Sequence, residues 1–379
     1  MPATNFTNLT SEQKTAWALE TWGHARSLSF VNKFVGKGPN SMIQRITELK
    51  KSEKGARAVM TLVADLIGDG VVGDWTLEGN EEELKAYDHV VNIDQLRNGN
   101  VLEGRMADQK SVVNFRNESR DKLAFWAADR IDQMAFLSLS SLPYTKKNSG
   151  GNRPVNATGQ NLADLEFAPG PSAAPSVNRA FHLTSNGLQS GTGFNAADGV
   201  LVPLSYSHLL EMKAAAKDHY IKGIRGNGGS DVYHVFVTPK GMAELKLDSD
   251  FIQNVRHAGV RGDKNQLFSG TDSVMVDGLV VHEFRHVYNT RNEASGDRFG
   301  ATGGDHGQRA LLCGAQALGM ADIGPGFWDE DFFDYNNQPG IAYGKIFGFT
   351  KPKFKGNPFD PSVLDDFSVM TIDTALDVA

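Results

Sequence analysis

Arg105 to Leu142 is a run of 38 residues with neither glycine nor proline, bracketed by Gly104 and Pro143. A continuous helix over that run would be a rod of roughly 57 Å, where globular helices average about three turns. Val112, Phe115, Leu123, Trp126, Ala127, Ile131, Met134 and Leu137 recur at three- and four-residue spacing and draw one apolar stripe. Asp108 falls in the first turn, where the helix dipole favours an anion. Glu118 and Lys122 form an i,i+4 pair on the polar side. The plain reading is a scaffold helix or coiled coil; the sharper one is a spine across a flat, plate-like subunit.

A chain of 379 residues can bury a large core and is long enough for two subdomains. Glycine, 40 of 379 residues, exceeds the usual ~7% and points to many turns on a β-rich framework. A net charge of −7 argues against a general nucleic-acid binder, which is usually basic, but says little about any one face. Cys313 is the sole cysteine, so no intrachain disulfide can form, in keeping with a reducing compartment. Met1 to Thr10 carries no apolar signal core. No run approaches the ~18 apolar residues of a membrane helix. Without a secretory signal, the glycosylation patterns at Asn5, Asn8, Asn117 and Asn156 read as chance.

In chain order, Thr10 with Gln13 resembles a capping box and predicts a helix from Ser11 to about Phe34, ended by Gly36, Gly38 and Pro39. Residues 56–67 and 87–96 read as strands of a long hairpin. Its tip runs from Gly68 to Asn80, with Glu81, Glu82 and Glu83 after it. Leu66, Val71, Val72, Trp75 and Leu77 would be costly to expose there, so the tip is expected to lie on something. Tyr144 to Asn178, with Pro154, Pro169, Pro171 and Pro175, is too long for a structureless loop in a lone domain. It reads as disordered or as ordered by a neighbouring subunit, the second being preferred. Further on, a helix is expected over 203–220 with Ser205 or Ser207 as cap, then a strand at 232–237. A helix over 239–257 is interrupted near Asp248. Residues 274–288 are β-rich, 309–320 apolar, and 343–354 and 367–375 read as strands.

His282-Glu283-Phe284-Arg285-His286 matches H-E-x-x-H, the zinc peptidase signature. That chemistry needs a helix, where the two histidines stand about 6 Å apart along the axis. The flanks Leu279-Val280-Val281 and Val287-Tyr288 are β-prone, and in a strand the separation would be about 13 Å. The reading is therefore against a metal, with a zinc metallopeptidase kept as the alternative. Arg261-Gly262-Asp263 reads as a turn. Gly223 to Gly229 lacks a phosphate-loop order. Asp65, Asp69, Asp74 and Glu78 lack calcium-loop spacing. Lys50, Lys51 and Lys54 read as a solvated face. No catalytic residue, metal site or cofactor is expected.

The order of these parts, and several stretches of text, resemble the tailed-bacteriophage major capsid proteins of the HK97-like fold, and more closely the capsid family of phage N4. The matching text is Gly38-Pro39-Asn40-Ser41-Met42-Ile43-Gln44, then Gly70 to Glu82, then Val91-Asn92-Ile93-Asp94-Gln95-Leu96-Arg97. Leu123 and Trp126, Tyr335-Asn336-Asn337 and Gly348-Phe349-Thr350-Lys351 also match. The resemblance implies an α+β fold and no enzyme. It implies an N-arm at 1–55, an extended-loop hairpin at 56–100, and a peripheral domain at 101–200 with its spine helix at 105–142. An axial domain at 201–330 and returning peripheral strands at 331–379 complete it. Gly70, Val71, Val72, Trp75, Leu77 and Glu78 would form the loop tip that contacts an adjacent subunit. Val112, Phe115, Leu123, Trp126, Ile131 and Met134 would form the spine's core face. The implied product is an icosahedral head of hexamers and pentamers enclosing double-stranded DNA. Partners would be the chain itself, a portal, scaffold or decoration proteins, and DNA on the inner face, without a membrane. The implied location is the virion, assembled in the host bacterial cytoplasm.

Overall fold

The computed structural model describes residues 11–46, 57–63, 66, 68–111, 114–191, 193–194, 196–226, 229–258, 273–355 and 363–377. Residues 1–10, Lys50, Lys51, Lys54, Asp65, Val112 and the tripeptide 261–263 lie outside them.

Helix α1 (Ser11–Leu28) stops before the glycines expected to end it. Asp132 supplies the reason. Its carboxylate accepts from the Ser29 hydroxyl at 2.6 Å and from the Phe30 and Val31 amides at 2.9 and 3.2 Å. Those bonds draw the chain into a tight turn, and a 3-10 segment follows at Val31–Phe34. Next come the short parallel strands β1 (Val35–Gly36) and β2 (Ile43–Ile46). The antiparallel hairpin β3 (Arg57–Val63) and β4 (Ala86–Asn92) leads into β5 (Asp94–Val101).

The expected 38-residue rod is two helices, α2 (Arg105–Lys110) and α3 (Phe115–Leu139). Asn114 is extended, and its side chain accepts the Asn117 amide at 3.2 Å, an N-cap. A run without glycine or proline permits a long helix but does not enforce one. A cap residue that competes for backbone groups starts a new helix. Ser141, at φ 56, turns left-handed just beyond the other end. The remaining helix of 25 residues is about 37 Å long.

The stretch from Tyr144 is anchored within its own chain. Tyr144, Leu165 and Phe167 are buried in one core with Met134, Phe347 and Phe349. The Tyr144 and Ser138 hydroxyls lie 2.6 Å apart, and Lys146 donates to the Glu293 carboxylate at 3.0 Å. Asn148 donates to the His286 carbonyl at 2.7 Å. Low regularity concealed three apolar anchors.

The chain continues through β6 (Ala180–Thr184), β7 (Gly187–Ser190) and α4 (Tyr206–Asp218), which Ser205 caps. Then come β8 (Ile224–Arg225), β9 (Asp231–Val237), α5 (Pro239–Leu247) and α6 (Ser249–Ala258), parted at Asp248. Strands β10 (Ser273–Val276), β11 (Leu279–Glu283), β12 (Gly307–Cys313) and β13 (Leu318–Asp322) follow. Last are β14 (Phe327–Phe333), β15 (Gln338–Thr350), the pair β16 (Lys353–Phe354) and β17 (Asp365–Asp366), and β18 (Val369–Ala375).

Among the described residues two sheets carry the architecture. One runs β1-β2-β13-β15-β14, with β5 also on β15. The other runs β10-β11-β9-β12-β18-β6-β7, with β8 on β9. This membership departs from the expected segment boundaries. β6 and β7 precede residue 201 and β18 lies near the C-terminus, yet all three join β9 and β12. β18 is buried on both faces over Val369–Thr374, which suits a central strand between β12 and β6. Conversely β13, inside 201–330, belongs with β15, because the chain crosses between sheets over Gly314–Ala317.

Helix α3 lies on the β13–β15 sheet, with Leu123, Ile131 and Met134 buried and Phe115 and Trp126 half-buried. α1 packs beside it, stacking Trp17 on Trp328 at 5.6 Å.

Candidate functional site

The β3–β4 hairpin is anchored at its base and bare at its tip. Burial alternates strictly along β3: Ala58, Met60 and Leu62 face Ile46, Val91, Ala321 and Phe367, while Val59 and Val63 are exposed. Contact at the base is close. A side chain on Gly348 would run into the Asn92 carbonyl, and one on Gly319 would meet the Met60 sulfur. Past Val63 the chain leaves the body. Val72 is 80% exposed and Trp75 83%; Leu77, Gly70 and Glu78 are exposed, and Val71 is half-buried.

Local bonds give the tip its shape. The Gly68 amide donates to the Glu82 carboxylate and the Gly79 amide to Glu81, each at 2.7 Å. The Asn80 side chain donates to the Thr76 carbonyl at 3.0 Å. The tip thus presents large apolar groups together on one shaped, exposed loop.

The H-E-x-x-H residues are not on a helix. β11 ends at Glu283, and the two histidines take different partners. His286 Nε2 lies 2.8 Å from Asp129, which Arg285 also contacts at 2.9 Å. His282 Nε2 faces His234 Nδ1 on β9 at 3.0 Å. Among the described residues no cluster of three or more such side chains can hold a metal ion.

The His234–His282 pair escaped the sequence because the two residues are 48 positions apart and meet through β9–β11 pairing. One ring must donate and the other accept, so the pair cannot be doubly protonated while this contact holds. Phe34 packs edge-on against both rings at 5.1 Å. Burial, then the charge of His234 and Lys33, hold His282 down at about 4, from an ordinary 6.5. Burial lowers His234 as well. The unfolded chain accepts these protons near pH 6.5, whereas the fold resists them. Stability is therefore full above that pH and lost as pH falls from 6.5 toward 4. The melting temperature should fall across this window, and less in His282→Gln, which keeps a polar amide without a titrating ring. Identical pH profiles for the two proteins would mean that the pair is uncoupled from folding.

The family model described as phage capsid protein matches residues 5–378. The major capsid protein of Pseudomonas phage KPP25 is 51% identical over 372 residues, covering 97% of this chain and 96% of that protein. This chain belongs to the phage capsid protein family. Among solved structures, the capsid of Ralstonia phage GP4 matches this capsid protein with a TM-score of 0.70 at 25% identity, over 92% of each chain. The cyanophage Pam1 capsid matches with a TM-score of 0.68 at 17% identity, again over 92% of each. The fold is thus the HK97-like capsid fold. The capsid protein is a structural component of a phage head and not an enzyme.

In this capsid protein, the tip residues Gly70, Val71, Val72, Trp75, Leu77 and Glu78 lie together on one projecting loop. Phe115, Leu123, Trp126, Ile131 and Met134 lie some way off on α3, and Val112 falls outside the described residues. Sequence reading missed Asp132, which fixes the start of the body to the spine. An aspartate inside a helical stripe carried no signal of its own, though its place within an apolar run was a hint.

Proposed function

We propose that this capsid protein closes its shell by laying the 68–85 loop of each subunit on an adjacent copy, within pentamers and hexamers of an icosahedral head around double-stranded DNA. The observation that carries the reading is the loop itself: a shaped, glycine-jointed tip that presents Trp75, Val72 and Leu77 to solvent. Residues 1–55 act as the arm, the β13–β15 sheet with α3 as the peripheral plate, and the β9–β12 sheet as the axial body. The segment boundaries follow the sheets rather than the linear order. Portal and scaffold or decoration proteins are further partners, and assembly takes place in the host bacterial cytoplasm.

Electron microscopy of the purified protein, and of the protein produced with its own phage's other head proteins, tests the reading. Closed shells of uniform diameter are expected. A strictly monomeric protein under both conditions would overturn it.

A further inference from the structure

The hairpin and α1 lie on opposite faces of one sheet. Along β2 and β13, Ile46 and Ala321 pack under the hairpin. Their neighbours Arg45, Met320 and Asp322 line a cleft on the other side, roofed by α1 and α3. The cleft has a volume of about 160 Å³. Arg26, Lys37 and Arg45 stand around it. The one carboxylate among its lining residues, Asp322, is already engaged by Arg45 at 2.7 Å and by the buried Lys345 ammonium. Arg45 Nε is buried without a hydrogen-bond partner. Among the described residues, the Arg26 and Lys37 side chains have no carboxylate partner. Asp322 is thus taken up by Arg45 and Lys345, which leaves the Arg26 and Lys37 charges without a carboxylate among the cleft's lining residues. Burial depresses the Lys345 pKa, Asp322 opposes that, and Arg45 and Arg26 press it further down. Such a cluster gains from an added anion.

The hairpin side has the opposite character. Residues 68–85 hold six carboxylates (Asp69, Asp74, Glu78, Glu81, Glu82, Glu83) against Lys85 alone. Subunits of a closed shell are related by rotations, which keep the same face outward on every copy. The loop of one copy therefore meets the hairpin side of the next and not the cleft.

We propose that the α1–α3 side of the plate faces the lumen and that Arg26, Lys37 and Arg45 seat a phosphate group of the packaged DNA. The inference rests on the shell reading above. The charge asymmetry carries it: the acidic loop would be repelled by a polyanion, while the cleft holds guanidinium and ammonium groups with donors to spare. Arginine is suited to the fork geometry of a phosphate. No base is read, so binding is independent of sequence and sensitive to salt.

The test uses the full chain and a double-stranded DNA oligonucleotide. The double variant Arg26→Gln/Lys37→Gln should bind every oligonucleotide more weakly. The slope of log affinity against log salt should become shallower by about two, one contact per lost charge. Arg57→Gln, at an exposed position of β3 on the hairpin side, should bind as wild type with an unchanged salt slope. In assembled heads, a thiol introduced by Lys37→Cys should resist a bulky polyethylene-glycol maleimide until the shell is broken. Background is low because Cys313 is buried.

Unchanged DNA binding in the cleft variant, or labelling of intact heads at position 37, would overturn the assignment. So would loss of shell formation in the cleft variant, since that makes the cleft a seat for another subunit. If the wild type forms no shells at all, the parent reading fails instead.

Discussion

Removing Gly70–Gly79 is expected to abolish shell formation while leaving a folded, soluble subunit. The two halves of that outcome follow from where burial stops. Ala58, Met60, Leu62 and Val91 hold the hairpin to Ile46, Ala321 and Phe367. The ten residues to be removed lie beyond the paired strands and leave Val72, Trp75 and Leu77 exposed. Joining Asp69 to Asn80 shortens a surface loop, and loop closure depends weakly on length. The denaturation midpoint should stay close to wild type. Contact between subunits loses its aromatic anchor, and such residues often account for 2 kcal/mol or more at an interface. Repeated at each contact, that loss is enough to stop assembly. Trp75→Ala should show the same effect in weaker form, as fewer or irregular shells at equal protein concentration. Normal shells from the deletion would show that the tip has no part in assembly.

Much of this was legible from local signals. The partial alternation of residues 56–67 and the glycines after it pointed to a long hairpin, and the Ser205 cap and the break at Asp248 stood in the text. What was not legible was settled by distant partners. The long helix divides because Asn114 caps it, and α1 ends early because Asp132, 103 positions from Ser29, binds the turn that follows. The proline-rich stretch after α3 is anchored by Tyr144, Leu165 and Phe167, one lone residue and one pair 21 positions on, too few to make a periodic pattern. Sheet membership followed the same rule. β18 reads simply as an apolar strand, and only its pairing with β12 and β6 assigns it to the larger sheet. The projecting loop was visible because it is contiguous. The cleft was not, because Arg26, Lys37, Arg45 and Asp322 come from four separate segments.

Asp366→Asn is expected to cost about 3–5 kcal/mol, the range for breaking one side of a buried ion pair. The Lys351 side chain is fully buried and Asp366 nearly so, with Nζ and Oδ2 3.2 Å apart. The same carboxylate accepts the Ser176 amide at 3.2 Å and lies 3.8 Å from Lys353. Lys351 also donates to Ser141 and to the Ala173 carbonyl, so the pair ties the end of α3 and the 144–178 stretch to the sheet. An asparagine keeps the shape and removes the charge, leaving a buried ammonium uncompensated. Burial already lowers the Lys351 pKa, and Asp366 opposes that shift. Without Asp366 the folded pKa falls further below the unfolded value. The unfolded state then holds more protons, so stability of the variant should rise with pH up to about 10.4, where the unfolded lysine also loses its proton. Adding Lys351→Met should recover most of the loss, because it removes the uncompensated buried ammonium and puts an apolar side chain of similar volume in its place. Urea denaturation of the three proteins between pH 7 and 9 measures all of this. A single variant within 1 kcal/mol of wild type would mean that the Lys351 ammonium does not depend on Asp366, its bonds to Ser141 and the Ala173 carbonyl being enough to hold it. Alternatively, a double variant no better than the single would place the stabilisation in the Ser176 and Ala173 bonds that hold the loop, and not in the charge pair.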